Sequence, residues 1–135
     1  MIVDTSALLA YLDTDEPDHQ AVAAILEKAD KALVVSPYVI AELDCLVASR
    51  LGVTAELAVL AELSGGAWEL AAMDAEGLKD ACAVVERYAD QWIGIADASN
   101  VVLAARYQTQ TIVTLDRRHF NVVRPLSGGR FMVLP

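Results

Sequence analysis

Asp4 closes the run Met1-Ile2-Val3, and Asp116 closes Ile112-Val113-Thr114-Leu115. Glu42 lies inside the helical run Pro37 to Leu51, and Asp97 opens the run Ala98 to Tyr107. Asp4 and Asp116 therefore stand at the carboxyl ends of two predicted parallel strands, the edge where ligands bind in open α/β sheets. Four carboxylates gathered at that edge repel one another, and burying even one without a partner is costly, so the set implies cations among them. Oxygen-only ligation, with no His or Cys, selects hard ions such as Mg²⁺ or Mn²⁺ over Zn²⁺. Such a site suits phosphodiester chemistry, in which the ion polarises the phosphate and activates water.

Each acid also has an ordinary reading. Glu42 falls three residues after Val39 and four before Leu46, on the inward flank of its helix, whereas Asp44, about 200° away, points elsewhere as a solvated acid. Asp97 shares a stripe with Val101, Ala104 and Ala105, yet it also suits a helix N-cap. Asp4 and Asp116 read equally well as turn residues. The joint placement, not any single residue, carries the inference. His119 reads as a structural hydrogen-bonder or a general acid, and His19, in a polar helix start, as solvent exposed. The spacing of Trp68, Trp92, Tyr88 and Tyr107 fits core and dimer packing better than base stacking. The turn acids Asp13, Asp15, Glu16 and Asp18 read as a solvated loop rather than a cation site.

Hydrophobic periodicity supplies the elements that must position these groups. Strands are predicted at Met1 to Val3, Leu33 to Val35, Ala67 to Ala71, Ile112 to Leu115 and Phe131 to Leu134. Helices are predicted at Thr5 to Leu12, Pro17 to Ala29, Pro37 to Leu51 capped by Ser36, Ala55 to Leu63 capped by Thr54, Asp74 to Tyr88, and from Asp97. Alternating strands and helices imply a parallel sheet with right-handed crossovers. Two similar acidic folds are excluded. The haloacid-dehalogenase phosphatases need Asp-x-Asp where this chain has Asp4-Thr5-Ser6. A receiver domain needs paired acids after its first strand and a Lys where this chain has Asp116.

With 135 residues the chain is expected to form a single domain over 1–135. Its mean hydropathy of +0.40 is high, but no apolar run approaches the roughly 18 residues of a membrane span, and the apolar excess suits a partner surface. The N-terminus lacks a basic n-region and long apolar stretch, so a cytoplasmic location is expected. Cys45 and Cys82, without CxxC spacing, are expected to be buried free thiols. Charge is uneven: residues 1 to 100 carry net −13 and residues 101 to 135 net +4. Such a tail is either a local polyanion-binding face or a solvated edge.

Ile2-Val3-Asp4-Thr5-Ser6, Ser36-Pro37-Tyr38-Val39-Ile40-Ala41-Glu42-Leu43, Ile95-Ala96-Asp97-Ala98-Ser99 and Thr114-Leu115-Asp116-Arg117-Arg118-His119-Phe120 together resemble the PIN-domain ribonucleases, particularly the VapC toxins of toxin–antitoxin pairs. The motifs span almost the whole chain, in order and with the family's spacing. The resemblance implies a three-layer α/β/α fold with a five-stranded parallel sheet in the order 3-2-1-4-5, and a homodimer. It implies an endoribonuclease whose site is Asp4, Glu42, Asp97 and Asp116 holding one or two Mg²⁺ or Mn²⁺, with Thr5 or Ser6 supporting the first Asp or its metal. It also implies a VapB-like antitoxin that wraps the toxin. Arg117, Arg118 and Arg124 are the candidates for RNA phosphates. In one departure, many members carry a further Asp just before the Phe of the fourth motif, where this chain has His119; that leaves a weaker second metal position, or none. Two other readings are a PIN-type RNA-processing nuclease without an antitoxin and a non-catalytic RNA- or protein-binding module.

Overall fold

The computed structural model describes residues 1–135. Its strands are β1 (Ile2–Val3), β2 (Val34–Val35), β3 (Glu69–Leu70), β4 (Thr111–Val113) and β5 (Met132–Leu134). Its helices are α1 (Thr5–Leu12), α2 (His19–Leu26), α3 (Pro37–Leu51), α4 (Val53–Ser64), α5 (Ala75–Arg87), α6 (Ile95–Arg106) and the short α7 (Arg117–Phe120). All strands pair in parallel, in the order β3-β2-β1-β4-β5, with helices on both faces.

The three central strands are apolar on both sides, as a parallel sheet covered by helices requires. Ile2 pairs with Val34 and Ile112, and all three join the core built with α5 and α6. Val3 pairs with Val35 and Val113, and these join the opposite core, built with α1, α2 and α3. Because side chains alternate along a strand, these three dipeptides supply both layers. Strand order also sets the site: β1 and β4 lie side by side, so the residues that follow them emerge at one edge.

Several local expectations shift. Helix α4 starts at Val53 rather than after Thr54, because Gly52, at φ +85, ends α3 and caps α4 in one residue. Helix α6 starts at Ile95 with Gly94 as its cap, so Asp97 is the third helical residue and not the opener. Helix α2 is shorter than Pro17 to Ala29, since successive turns occupy the chain up to His19. His19 is half-buried, its Nδ1 lying 2.9 Å from the Ala10 carbonyl oxygen, rather than solvent exposed.

Both cysteines are exposed, against expectation. Cys45 sits about 200° from the buried Val39, Leu43 and Val47 stripe, and Cys82 follows the buried Ala81 by one position, so each leaves the core-facing side. Trp68 is a core residue, edge-on to Tyr11 at 5.7 Å, but Trp92 and Tyr107 are exposed. No helix is long and apolar enough to cross a membrane.

Candidate active site

Asp4 leaves β1 in an extended conformation, and its backbone N–H donates to the Val113 carbonyl at 3.0 Å, locking it against the end of β4. Although it precedes α1, its side chain makes no cap. Oδ1 accepts from Asn100 Nδ2 at 3.0 Å; Oδ2 accepts from Thr114 Oγ1 at 2.8 Å and from Ser6 Oγ at 3.0 Å. The residue is only 4% exposed. Burial pushes its carboxyl above the usual range, a rise the Thr114 and Ser6 hydroxyls partly offset and nearby Glu42 reinforces.

The expected hydroxyl support divides between two acids. Ser6 serves Asp4, and it also accepts the Leu115 backbone N–H at 2.9 Å, tying α1 to the chain after β4. Thr5 serves Glu42, its Oγ1 donating to Glu42 Oε2 at 2.5 Å. Glu42 is otherwise exposed, whereas Asp44 is half-buried with an Oδ1 that lacks a partner. This reverses the assignment of an inward Glu42 and a solvated Asp44. Glu42 reaches along the rim toward α1, while Asp44 shares a stripe with half-buried Ile40 and Ala48.

Asp97 and Asp116 meet at His119. The imidazole Nδ1 lies 3.0 Å from Asp97 Oδ2 and 3.2 Å from Asp116 Oδ2, in neither case aligned as a hydrogen bond. On the other side of the ring, Nε2 lies 3.0 Å from Arg118 Nη2. A guanidinium only donates, so Nε2 accepts and the network assigns the ring proton to Nδ1, facing the two carboxylates. Asp116 caps α7, accepting the His119 N–H at 3.3 Å, and its own N–H donates to Thr114 Oγ1 at 3.0 Å. Asp97 accepts the Gly94 N–H at 3.4 Å. Burial first and the charge of Asp4 second push the Asp97 carboxyl up to about 6; His119 pulls it back and Asp116 adds a little.

Asn100, Thr114 and the bridging role of His119 were absent from the sequence-based set. Asn100 had a readable signal, as an amide directly preceding the apolar stretch Val101 to Ala104, and it is fully buried. Asn100→Leu leaves Asp4 Oδ1 without its donor and is expected to destabilise the fold by about 1–3 kcal/mol, measured by urea unfolding. Asn100→Asp is expected to be worse still, since it adds a buried charge beside Asp4. Of the tail arginines, Arg117 donates to the Pro135 carbonyl and Arg124 to the Asn121 carbonyl at 2.8 Å, while Arg118 stands beside the acids through His119.

No three His, Cys, Asp or Glu side chains converge as a ready-made metal cage. Mg²⁺ does not require one, because it keeps several waters and takes only one or two protein carboxylates. Carboxylates held above their usual range by burial and mutual repulsion are the donor set such an ion relieves, so the residues fit Mg²⁺ or Mn²⁺. The larger surface grooves lie elsewhere, the largest between α1, α2 and the α3–α4 pair, lined by Leu9, Leu12, Val47, Leu51 and Val59. The acids occupy an open edge, which suits a polymer better than an enclosed small molecule.

Residues 1–125 match the PIN domain, and the chain belongs to the PIN-domain family. It is 64% identical to Ribonuclease VapC26 of Mycobacterium tuberculosis (strain H37Rv) over 135 residues, the full length of both chains. Among solved structures, it resembles Mycobacterium tuberculosis VapC20, described as a sarcin-ricin loop cleaving toxin, with TM-score 0.83, 18% identity and coverage of 99% of this chain and 98% of that one. It also resembles FitAcB from Neisseria gonorrhoeae, with TM-score 0.60, 20% identity and coverage of 89% and 90%. These two likenesses show the fold.

Proposed function

We propose that residues 1–135 form one PIN domain that acts in the cytoplasm as a metal-dependent endoribonuclease, the toxin of a VapBC-type toxin–antitoxin pair. The observation that best supports this is the gathering of Asp4, Asp97 and Asp116 around Thr114 and His119 at the carboxyl edge of β1 and β4, with Glu42 at the rim. The full-length similarity to a ribonuclease supports RNA as the substrate class.

Asp4, Asp97 and Asp116 would hold Mg²⁺ or Mn²⁺, directly or through waters. A bound ion supplies charge neutralisation at the scissile phosphate and a lowered pKa for the attacking water. Glu42, with one oxygen fixed by Thr5, would orient the attacking water through the other. Asn100, Ser6 and Thr114 hold the Asp4 carboxylate in one orientation, so little reorganisation accompanies substrate binding. Attack in line with the 3′ oxygen releases a 5′-phosphate and a 3′-hydroxyl, with no covalent protein intermediate.

Leu51, Val53 and Leu57 are exposed along the end of α3 and the face of α4, apolar surface of the kind a second copy or an antitoxin covers. Expression of the chain alone is expected to arrest growth, and co-expression of the product of the adjacent gene to relieve it. RNA ends mapped after induction should carry 5′-phosphates. Harmless expression of the folded wild type, or 2′,3′-cyclic phosphate ends, would overturn the proposal.

A further inference from the structure

Trp92 is 87% exposed, whereas the other tryptophan, Trp68, is 7% exposed. Trp92 also holds a left-handed backbone, φ 57 and ψ 36, a conformation that bulky side chains rarely adopt. Nothing in the fold repays that arrangement through packing. A large apolar ring kept in water on a strained backbone marks a position held for something outside the chain.

Its surroundings indicate what that is. The next residue, Ile93, is buried and anchors the loop, and Gly94 donates its N–H to Asp97 Oδ2 at 3.4 Å. Only Ile93 separates Trp92 from that contact, so its Cα lies within about 8 Å of the Gly94 nitrogen. One arginine stands at the acidic edge, and the backbone of a second is tied to the chain just before Trp92. Arg118 reaches the acids through His119, and the Arg124 backbone N–H donates at 3.1 Å to the hydroxyl of Tyr88, four residues before Trp92. An exposed aromatic face on a surface that also carries basic side chains is the combination that binds single-stranded nucleic acid, the ring stacking on a base and the cations tracking phosphates.

We propose that Trp92 is a stacking platform for an unpaired base of the RNA, close to the scissile phosphate at the acidic site, with Arg118 and Arg124 flanking the strand. This rests on the ribonuclease reading of the acidic site. The face of an indole accepts any base, so Trp92 selects unpaired over paired RNA and does not read sequence; bases inside a duplex are already stacked on each other.

The test uses two probes, an RNA hairpin with a single-stranded loop and a blunt RNA duplex of the same composition, with binding followed in EDTA by indole emission. The hairpin should quench the wild type and the duplex should not; buried Trp68 supplies the unchanged background. Trp92→Phe should bind the hairpin nearly as well as the wild type. Trp92→Gly and Trp92→Leu should bind at least roughly fivefold more weakly, the low end for one stacked base. Trp92→Gly should melt no lower than the wild type, because glycine adopts the left-handed conformation freely. With Mn²⁺ restored, hairpin cleavage should show a raised KM.

Undiminished hairpin binding by Trp92→Gly, or a Leu variant equal to the Phe variant, overturns the proposal. So does a Gly variant that loses only self-association or binding of a protein partner, which would assign Trp92 to a protein interface. A wild type that binds the hairpin through Trp92 but cuts no RNA leaves the platform standing and removes the nuclease reading.

Discussion

Asp4→Asn is expected to reduce RNA cleavage by about 10³-fold or more while leaving the fold intact. The loss follows from the position of Asp4, which is the most buried of the four acids and close enough to Asp97 to raise its carboxyl. Removing one ligand charge from a site that neutralises a phosphate costs several kcal/mol at the transition state, and about 1.4 kcal/mol is a factor of ten. The fold should survive because Asn is nearly isosteric. Its carbonyl oxygen can still accept from Asn100, and its amide can donate to the Ser6 and Thr114 hydroxyls, which accept as readily as they donate. In EDTA the variant should melt higher than the wild type, since it removes a charge whose burial opposes folding. Cleavage assays and thermal melts on one preparation check both effects. An exposed acid such as Asp30 is the proper comparison. Asp44 is unsuitable, because its buried, unpartnered Oδ1 makes it more than a surface charge.

The second large effect is on stability against pH. The Asp97 carboxyl rises from an ordinary 3.8 to about 6, through burial first, with Asp4 and Asp116 adding and His119 opposing. An acid whose folded value is raised stabilises the protein below its unfolded value, and that contribution is lost as pH rises through the folded one. Metal-free protein should therefore lose up to about 3 kcal/mol between pH 4 and pH 6.5 relative to Asp97→Asn, which keeps an acceptor for the Gly94 N–H. Repeating the pair in a His119→Ala background separates the carboxylate from the imidazole. Millimolar Mg²⁺ or Mn²⁺ should restore stability above pH 6.5 by mass action, and much less at pH 4, where protons compete for the carboxylate. A gap between wild type and Asp97→Asn that does not change with pH would mean that Asp97 is an ordinary cap-side acid.

The fold was legible because its central information is short and redundant. Ile2-Val3, Val34-Val35 and Ile112-Val113 are apolar dipeptides between amphipathic helices, and only a parallel sheet covered on both faces buries all of them. The acids were legible for the same reason, since a residue that follows a central strand has one edge at which to emerge. Helix boundaries were less so: Thr54 and Asp97 are good cap residues, but Gly52 and Gly94 hold the backbone angles that start those helices. Glu42 and Asp44 were exchanged because helical periodicity gives direction around an axis, and it does not say which flank a neighbouring element covers. The bridging role of His119 needed three-dimensional proximity. A lone His reads as a structural residue in any sequence, and only the side-by-side placement of α6 and the chain after β4 sets it between Asp97 and Asp116. Trp92 lies outside the core that its spacing suggested, because an aromatic between helices normally belongs to a core, and here the loop carries it into solvent.

The most direct test is cleavage of RNA by purified protein stripped with EDTA and then titrated with Mn²⁺ or Mg²⁺. The expected result is no cleavage in EDTA and activity that returns with added ion in the wild type but not in Asp4→Asn, with products bearing 5′-phosphates. Undiminished cleavage in excess EDTA, or equal cleavage by Asp4→Asn, would contradict a metal-dependent site built on these carboxylates.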